Sequence, residues 1–431
     1  MVGGPFERGG VMQPYESYKP SGAEWLGDIP AHWTVTPAKR LFREVSEKNH
    51  PDAELLSVTQ EFGVVPRDQL EQRVVMPTGQ LQIFKLVRAD DFVISLRSFQ
   101  GGIEYSEFTG LVSPAYTILR KQKNANSRYL KHLLKSAPFI SELNTSVTGI
   151  REGKNISFSE MAYSLLPLPA ASEQARIADF LDVKTAEIDA AIAKKERLIE
   201  LLDEQKSILI NSLVMKGANP QALTKASGLS WGGDIPAHWK IRYLKHLFRE
   251  TDARTSTGEE PLFSLRMSGQ LLRHNDVSDK PITPDQLIGY KIVSPGQLVM
   301  NRMRASMGLF AVAHERGLVS PDYAVFNCID DISQAYFLAL FRNSAIRGVF
   351  LTESKGLGTG SSGFLRLYSD RFGGIKVPCP PREEQEKIVL AINDHFLKFA
   401  DVERSVKIEI EKLVVMRSIL IADAVTGKMR V

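Results

Sequence analysis

Cysteine is nearly absent from this 431-residue chain. Cys328 and Cys379 are its only two, and they are not spaced as a CxxC pair, so a disulfide framework is excluded and a reducing, cytoplasmic compartment is expected. Long apolar runs are missing too: no stretch approaches ~20 uncharged apolar residues, and the first twenty residues lack the apolar core of a signal peptide, so neither a membrane span nor export is expected. Neither sign of charge dominates, since 54 Lys and Arg stand against 50 Asp and Glu, a formal +4. Such a balance by itself says little about nucleic acid. Catalytic signatures are equally scarce. There is no GxxxxGK[ST] phosphate loop and no GxSxG nucleophile elbow, and the eight histidines show neither HExxH spacing nor a neighbouring cysteine pair that would support zinc. Gly358-Thr-Gly-Ser-Ser-Gly363 is a literal GxGxxG, but Phe364-Leu-Arg-Leu-Tyr368 after it reads as a strand and not as the helix that pyrophosphate binding needs, so it is read as a turn.

Hydrophobic residues make up 43% and charged residues 24%, ordinary for a globular protein. At roughly 150 residues per domain, this length implies two or three domains. An internal repeat decides between them. Trp25-Leu-Gly-Asp-Ile-Pro-Ala-His-Trp33 recurs as Trp231-Gly-Gly-Asp-Ile-Pro-Ala-His-Trp239, and Leu41-Phe-Arg-Glu44 as Leu247-Phe-Arg-Glu250. Gly110-Leu-Val-Ser-Pro114 returns as Gly317-Leu-Val-Ser-Pro321. Pro167-Leu-Pro169 with Glu173, Gln174 and Ile177 returns as Pro378-Cys-Pro380 with Glu384, Gln385 and Ile388. The period of about 200 residues is that of a duplicated domain, not of a solenoid, whose repeats run roughly 20–50 residues. Trp25, Trp33, Trp231 and Trp239, at matching positions, are expected to be core anchors, and His32 and His238 structural parts of the same motif.

Within each half, short apolar runs such as Asp91–Ser95 and Gln297–Asn301, punctuated by Gly, Pro, Asn and Ser, read as strands and turns; Arg128–Lys135 and Gln334–Phe341 read as helices. After Pro169 and Pro381 the texture changes. Ser172 reads as an N-cap and Pro381 as a first-turn proline, each opening a long helix. Heptad spacing predicts a seam through Leu181, Ile188, Ile192, Ile199, Leu202 and Leu209, and a matching one through Ile392, Phe396, Phe399, Val406, Ile410, Leu413 and Leu420. Lys206 and Arg417 interrupt the two seams at equivalent positions. The expected organisation is a flexible tail (1–19), a first domain (20–170), a central long helix (171–217), a linker (218–225), a second domain (226–381) and a C-terminal long helix (382–431). Residues 172–216 carry seven basic against nine acidic residues and 382–431 nine of each, so the positive excess lies in the domains.

This layout resembles the specificity (S) subunit of type I restriction-modification systems, on the duplicated Trp-x-Gly-Asp-Ile-Pro-x-x-Trp, the duplicated Pro-x-Pro…Glu-Gln…Ile passage and the final Val425-Thr-Gly-Lys428. The resemblance implies a mixed α/β (α+β) fold: two target recognition domains separated by two long antiparallel coiled-coil helices. Each domain would read one half of a bipartite, asymmetric site on double-stranded DNA. It implies no catalysis and no cofactor in this chain. S-adenosylmethionine, ATP and Mg are expected on partners, namely two methyltransferase (M) subunits and, through the complex, restriction (R) subunits. The residues agree: Cys379-Pro-Pro-Arg382 lacks the Asn or Asp and the aromatic of an amino-methyltransferase loop, and no PD…(D/E)xK nuclease pattern occurs. A long helix of about 45 residues is roughly 65 Å, comparable with two DNA turns of ~34 Å, and would serve as a ruler. The rival readings are a stand-alone DNA-binding regulator on the same scaffold and a nuclease with an unrecognised site.

Recognition loops should differ where half-sites differ. Arg97-Ser-Phe-Gln-Gly101 and Arg302-Met-Arg-Ala-Ser306 diverge after a matched strand, so Arg97, Gln100, Arg302 and Arg304 are the first candidates for DNA contact, Arg for guanine or phosphate and Gln for adenine. Arg151 and Lys154, with Lys355 and Arg366 beside the glycine-rich turn, form a second set.

Overall fold

The structure, a computed structural model, describes residues 14–70, 81–122, 125–145, 147–148, 155–278, 280, 282–357 and 364–431. It divides into two compact units, Met1–Lys195 with Lys407–Val431, and Glu196–Val406. Both divisions fall inside long helices: the central helix, Ala171–Lys216, and the terminal helix, Arg382–Thr426. Along the chain the order is domain, helix, domain, helix. As folded, each unit holds one mixed α/β domain, the start of one long helix and the end of the other.

The two domains share one topology. In the first, a four-stranded antiparallel sheet runs Phe42–Val45, Thr117–Lys121, Phe92–Ile94, Glu104–Tyr105; in the second, Phe248–Thr251, Tyr323–Cys328, Leu298–Asn301, Phe310–Val312. Strand side chains alternate between faces, and each sheet uses both. Phe92 and Ile94 join the core beneath the helix Ser127–Leu134, whereas Val93 enters a smaller core with Leu56 and Val64 of the hairpin Leu56–Thr59/Gly63–Pro66. Likewise Leu298 and Met300 face the helix Gln334–Arg342, while Val299 meets Phe263 and Leu265 of the hairpin Phe263–Leu265/Leu271–Arg273.

The repeated Gly-Leu-Val-Ser-Pro has its cause here. A Cβ at Gly110 would lie 2.4 Å from the Glu54 carbonyl oxygen, and one at Gly317 would lie 2.5 Å from that of Pro261. Only glycine lets this strand approach the chain leading into the hairpin, where Leu55 bridges Leu111 and Leu262 bridges Leu318.

The repeated Glu-Gln pair joins each domain to the start of its helix. Gln174 Oε1 accepts the Asn126 amide (2.8 Å) and its Nε2 donates to the Pro169 carbonyl (2.8 Å); Gln385 does the same with Ser333 (2.7 Å) and Pro380 (2.8 Å). Glu173 receives His32 (2.9 Å) and Tyr15 (2.8 Å), and Glu384 receives His238 (2.6 Å) and Trp239 Nε1 (3.0 Å). Trp33 and Trp239 are fully buried, and Trp25 and Trp231 partly so. The helix starts correct two expectations. Ser172 lies inside the first turn, and the amides of Glu173 and Gln174 bond to the Ala170 carbonyl instead. Pro381 stands just before its helix in the equivalent position, accepting from Glu384 and Gln385.

In each unit the long-helix segments run antiparallel. In the first, Arg417 pairs with Asp189 (2.9 Å) and Lys195 with Glu409; in the second, Lys206 pairs with Glu403 (2.9 Å). Both seam interruptions are thus answered by a carboxylate on the facing helix. Leu181, Ile188, Ile392 and Val406 are buried, and Ile192, Ile199, Leu202, Leu209, Phe399, Ile410, Leu413 and Leu420 are half-buried. Phe396 departs from the predicted seam: it is 40% exposed, because it flanks a shallow groove with Lys206, Leu209 and His395 and is covered on one side only.

Replacing Gly110 or Gly317 by Ala forces the hairpin approach apart. Each substitution is expected to lower stability by about 1–3 kcal/mol in urea unfolding, whereas Gly233→Ala, where a Cβ meets nothing within 4 Å, is expected to change it little.

Candidate nucleic-acid interface

In both sheets the connection from the third strand in spatial order to the edge strand is a single helical turn with an arginine at its head. In the first domain Arg97 precedes Ser98–Gly101, and its amide donates to Ser95 Oγ (3.3 Å). In the second Arg304 precedes the 3₁₀ turn Ala305–Met307, and its amide donates to Asn301 Oδ1 (3.3 Å). Each turn ends on a left-handed glycine, Gly102 (φ 81°) or Gly308 (φ 76°), set against the carbonyl of Leu134 or Phe341 at the end of the domain helix. Arg97 and Arg304 therefore both stand at the head of the turn, one position apart in register. Both side chains are exposed, and among the described residues neither meets a carboxylate; the nearest polar contact of Arg304 Nη1 is the Met267 sulfur at 3.4 Å.

Beside each arginine stands the tip of the small hairpin. In the first domain the tip is Gln60-Glu61-Phe62, all exposed, and Gln60 Nε2 donates to the Arg97 carbonyl (3.1 Å). Gln60, Glu61, Phe62 and Arg97 line one open cleft with Thr59, Arg67 and Tyr116. In the second the tip is Arg266–Gln270, with Arg266, Met267, Ser268 and Gln270 exposed. A cation at the end of each domain helix anchors the tip backbone: Lys135 Nζ donates to the Gln60 carbonyl (2.8 Å), and Arg342 Nη2 to that of Ser268 (3.1 Å). Lys135 also pairs with Glu104 (2.7 Å), whose carboxyl is 2% exposed and is pushed up to about 7 by burial, against the pull of Lys135. Burial holds the Arg342 guanidinium below its ordinary value.

Two clusters of this kind, alike in scaffold and unlike in tip chemistry, suit recognition of two different short sequences. Residues 289–412 match the family described as the type I restriction modification DNA specificity domain. The specificity subunit of the type I restriction enzyme EcoKI of Escherichia coli (strain K12) is 21% identical, over 94% of this chain and 90% of its own. That of EcoBI, also from Escherichia coli, is 22% identical over 82% of this chain and 76% of its own. The chain therefore carries a region matching that specificity domain and is similar to type I specificity subunits over most of its length. Its fold is shared with a chain solved in work on complex assembly and conformational transition of the type I R-M system, at TM-score 0.64 and 14% identity, covering 92% of this chain and 98% of the other.

The structure sorts the sequence-derived candidates unevenly. Arg97 and Arg304 are free for a ligand, and Gln100 is exposed on the same turn as Arg97. Arg302 is not: its guanidinium donates to Glu250 (2.6 Å) and Ser369 (3.3 Å), with 20% of the side chain exposed, so it is committed to holding the sheet edge to the start of the short helix Ser369–Gly373. Arg366 pairs with Asp322 (3.3 Å) and is likewise engaged. Lys355 is exposed, directly across a two-stranded ladder from Arg366. Arg151, Lys154 and the glycine-rich turn 358–363 lie outside the described residues. The hairpin tips were missed by the sequence reading. Their only signal was an apolar residue close before a turn glycine, in Phe62-Gly63 and Met267-Ser268-Gly269.

Among the described residues, no group of three or more His, Cys, Asp or Glu could hold a metal ion, and no helix is long and apolar enough to cross a membrane.

Two outcomes test this arrangement. Arg304→Ala should weaken binding of the subunit's DNA by about tenfold or more with unchanged thermal stability, while Arg302→Ala should lower stability; fluorescence anisotropy with parallel melting separates the two. For Glu104, a folded-state pKa near 7 against an ordinary 4.5 means that the folded protein holds an extra proton between these values. Stability is then greatest below about pH 4.5 and falls as pH rises through 7. Glu104→Gln should remove that fall, on the order of 2–3 kcal/mol, in unfolding midpoints compared at pH ~5 and ~8.

Proposed function

We propose that this chain is a specificity subunit that reads a bipartite, asymmetric sequence on double-stranded DNA, one half-site per unit, and that itself carries no catalytic activity. The observation that carries the reading is the pair of carboxylate-free arginines at the heads of the matching turns, Arg97 and Arg304, each beside an exposed hairpin tip of different sequence. A shared scaffold fixes how the duplex is approached, and unlike side chains fix which bases are accepted.

The long helices set the spacing between half-sites and dock two methyltransferase subunits, through which restriction subunits join. Exposed apolar residues off the helix seams support this role: Ile408, Val414, Val415 and Ile419 in the first unit, and Leu198, Ile208, Leu390 and Leu397 in the second. Rows of this kind on a soluble protein's helices mark a protein contact. S-adenosylmethionine, ATP and Mg act on the partner subunits, and the assembly works in a prokaryotic cytoplasm.

Affinity purification of the full chain from its own cell, followed by selection from a random duplex pool, tests the reading. Two methyltransferase chains should accompany it, and the enriched DNA should hold two short fixed sequences around an unread spacer. A chain that purifies alone but still selects DNA is a regulator, and one that cuts or methylates DNA unaided is an enzyme; either overturns the proposal.

A further inference from the structure

The hairpin tips are the least explained feature of the two domains. Each hairpin is rooted in the hydrophobic core through Leu56 and Val64 or through Phe263 and Leu265, so its position is set by packing. Each tip is then tied down a second time, by the cation that ends the domain helix: Lys135 to the Gln60 carbonyl, and Arg342 to the Ser268 carbonyl. What such an anchored loop presents outward serves neither core nor cap. Phe62 is 61% exposed and Met267 58% exposed, and neither belongs to the hydrophobic core its hairpin is rooted in.

The polar residues around them differ in kind. The first tip offers Gln60 and Glu61; the second offers Arg266 and Gln270, and among the described residues Arg266 has no acidic partner. In the major groove these types read different edges: Gln pairs with the N6 and N7 of adenine, Glu accepts from the N4 of cytosine, Arg donates to the O6 and N7 of guanine, and an apolar group meets the thymine methyl. A phosphate contact suits Arg97 in the first unit and Arg304 in the second, whereas a carboxylate such as Glu61 is repelled by phosphate and finds a favourable partner on DNA in a base donor such as the N4 of cytosine.

We infer that the hairpin tips, Gln60–Phe62 and Arg266–Gln270, are the specificity-determining elements of the two units. They enter the groove and read bases, while Arg97 and Arg304 beside them fix each tip on the duplex. This rests on the reading of the chain as a DNA-recognition subunit and assigns the half-site chemistry to named residues. Glu61 makes the first half-site demand a cytosine at one position, and Arg266 makes the second demand a guanine.

The experiment is selection of bound sequences from a random duplex pool by the full chain, in the complex in which it purifies, for the parent and for two double variants, Glu61→Gln with Phe62→Ala and Arg266→Ala with Met267→Ala. All four positions are exposed, and melting curves identify any variant that fails to fold; Glu61→Gln and Arg266→Lys alone then replace it. The first variant should lose at least about tenfold of its preference at one or two positions of one half-site and keep the other half-site unchanged, with the second variant giving the mirror result. Retention of both half-site sequences by both variants, whether or not affinity falls uniformly, overturns the assignment of the tips. A parent complex that enriches no sequence overturns the recognition reading itself, which is a different result.

Discussion

Everything else in this molecule depends on how the ends of two long helices are fastened. A helix of this length leaves its first amides and last carbonyls without partners, and a start buried against a domain must satisfy them locally. Here a buried glutamine, Gln174 or Gln385, spans from the helix to the cap of the domain helix and back to the proline-rich strand that precedes it. The far ends are fastened equivalently. Tyr129 donates to the Val425 carbonyl (3.3 Å) in one unit, and Tyr336 to the Val214 carbonyl (2.9 Å) in the other. Each domain thus grips the beginning of one long helix and the end of the other. An unmade bond at any of these buried groups would cost about 1–3 kcal/mol, which explains why the Glu-Gln pair recurs when so much around it has changed.

Fastening of this kind separates what must stay from what can vary. The sheet, the domain helix, the two helix ends and the glycine that admits the hairpin form one connected set, and the residues in that set are those that recur across the repeat. The hairpin tip and the turn headed by Arg97 or Arg304 are supported by the set without contributing to it. Their backbones are held by core residues and by one long cation, so their side chains, Gln60 with its bond to the Arg97 carbonyl apart, are free to change at little structural cost. On the proposed function, a recognition surface built this way can acquire new base preferences while its helices remain unaltered.

The repeat, the strands, the long helices and most of the seam were legible in the sequence, because each leaves a periodic or duplicated signature that local chemistry enforces. The candidate interface was legible only in part. The loops after the matched strands were singled out, but they are equal in length from Ser95 to Gly102 and from Asn301 to Gly308, which puts Arg302 at the place of Leu96 and leaves Arg304, not Arg302, at the head of the turn as Arg97 is. Arg302 looked free because its partner, Glu250, is 52 residues away in the chain. Phe396 looked buried because heptad spacing does not tell which seam level opens into a groove. The tips escaped notice since exposure of Phe62 and Met267 is a tertiary fact: in sequence, an apolar residue beside a turn glycine reads as part of a strand.

The two anchors also show how equivalent positions reach one end by different means. Lys135 shares its ammonium between the Gln60 carbonyl and the buried Glu104, whereas at the place of Glu104 the second domain has Ala311, and Arg342 reaches its tip carbonyl without a carboxylate. Arginine stays charged when half-desolvated, and its planar fork needs no neutralising partner to hold geometry. A lysine in the same setting keeps its charge more securely with an acid alongside. The acid is costly when ionised in a buried site, so the first tip is held by a pair whose strength follows pH and the second by a cation whose strength does not.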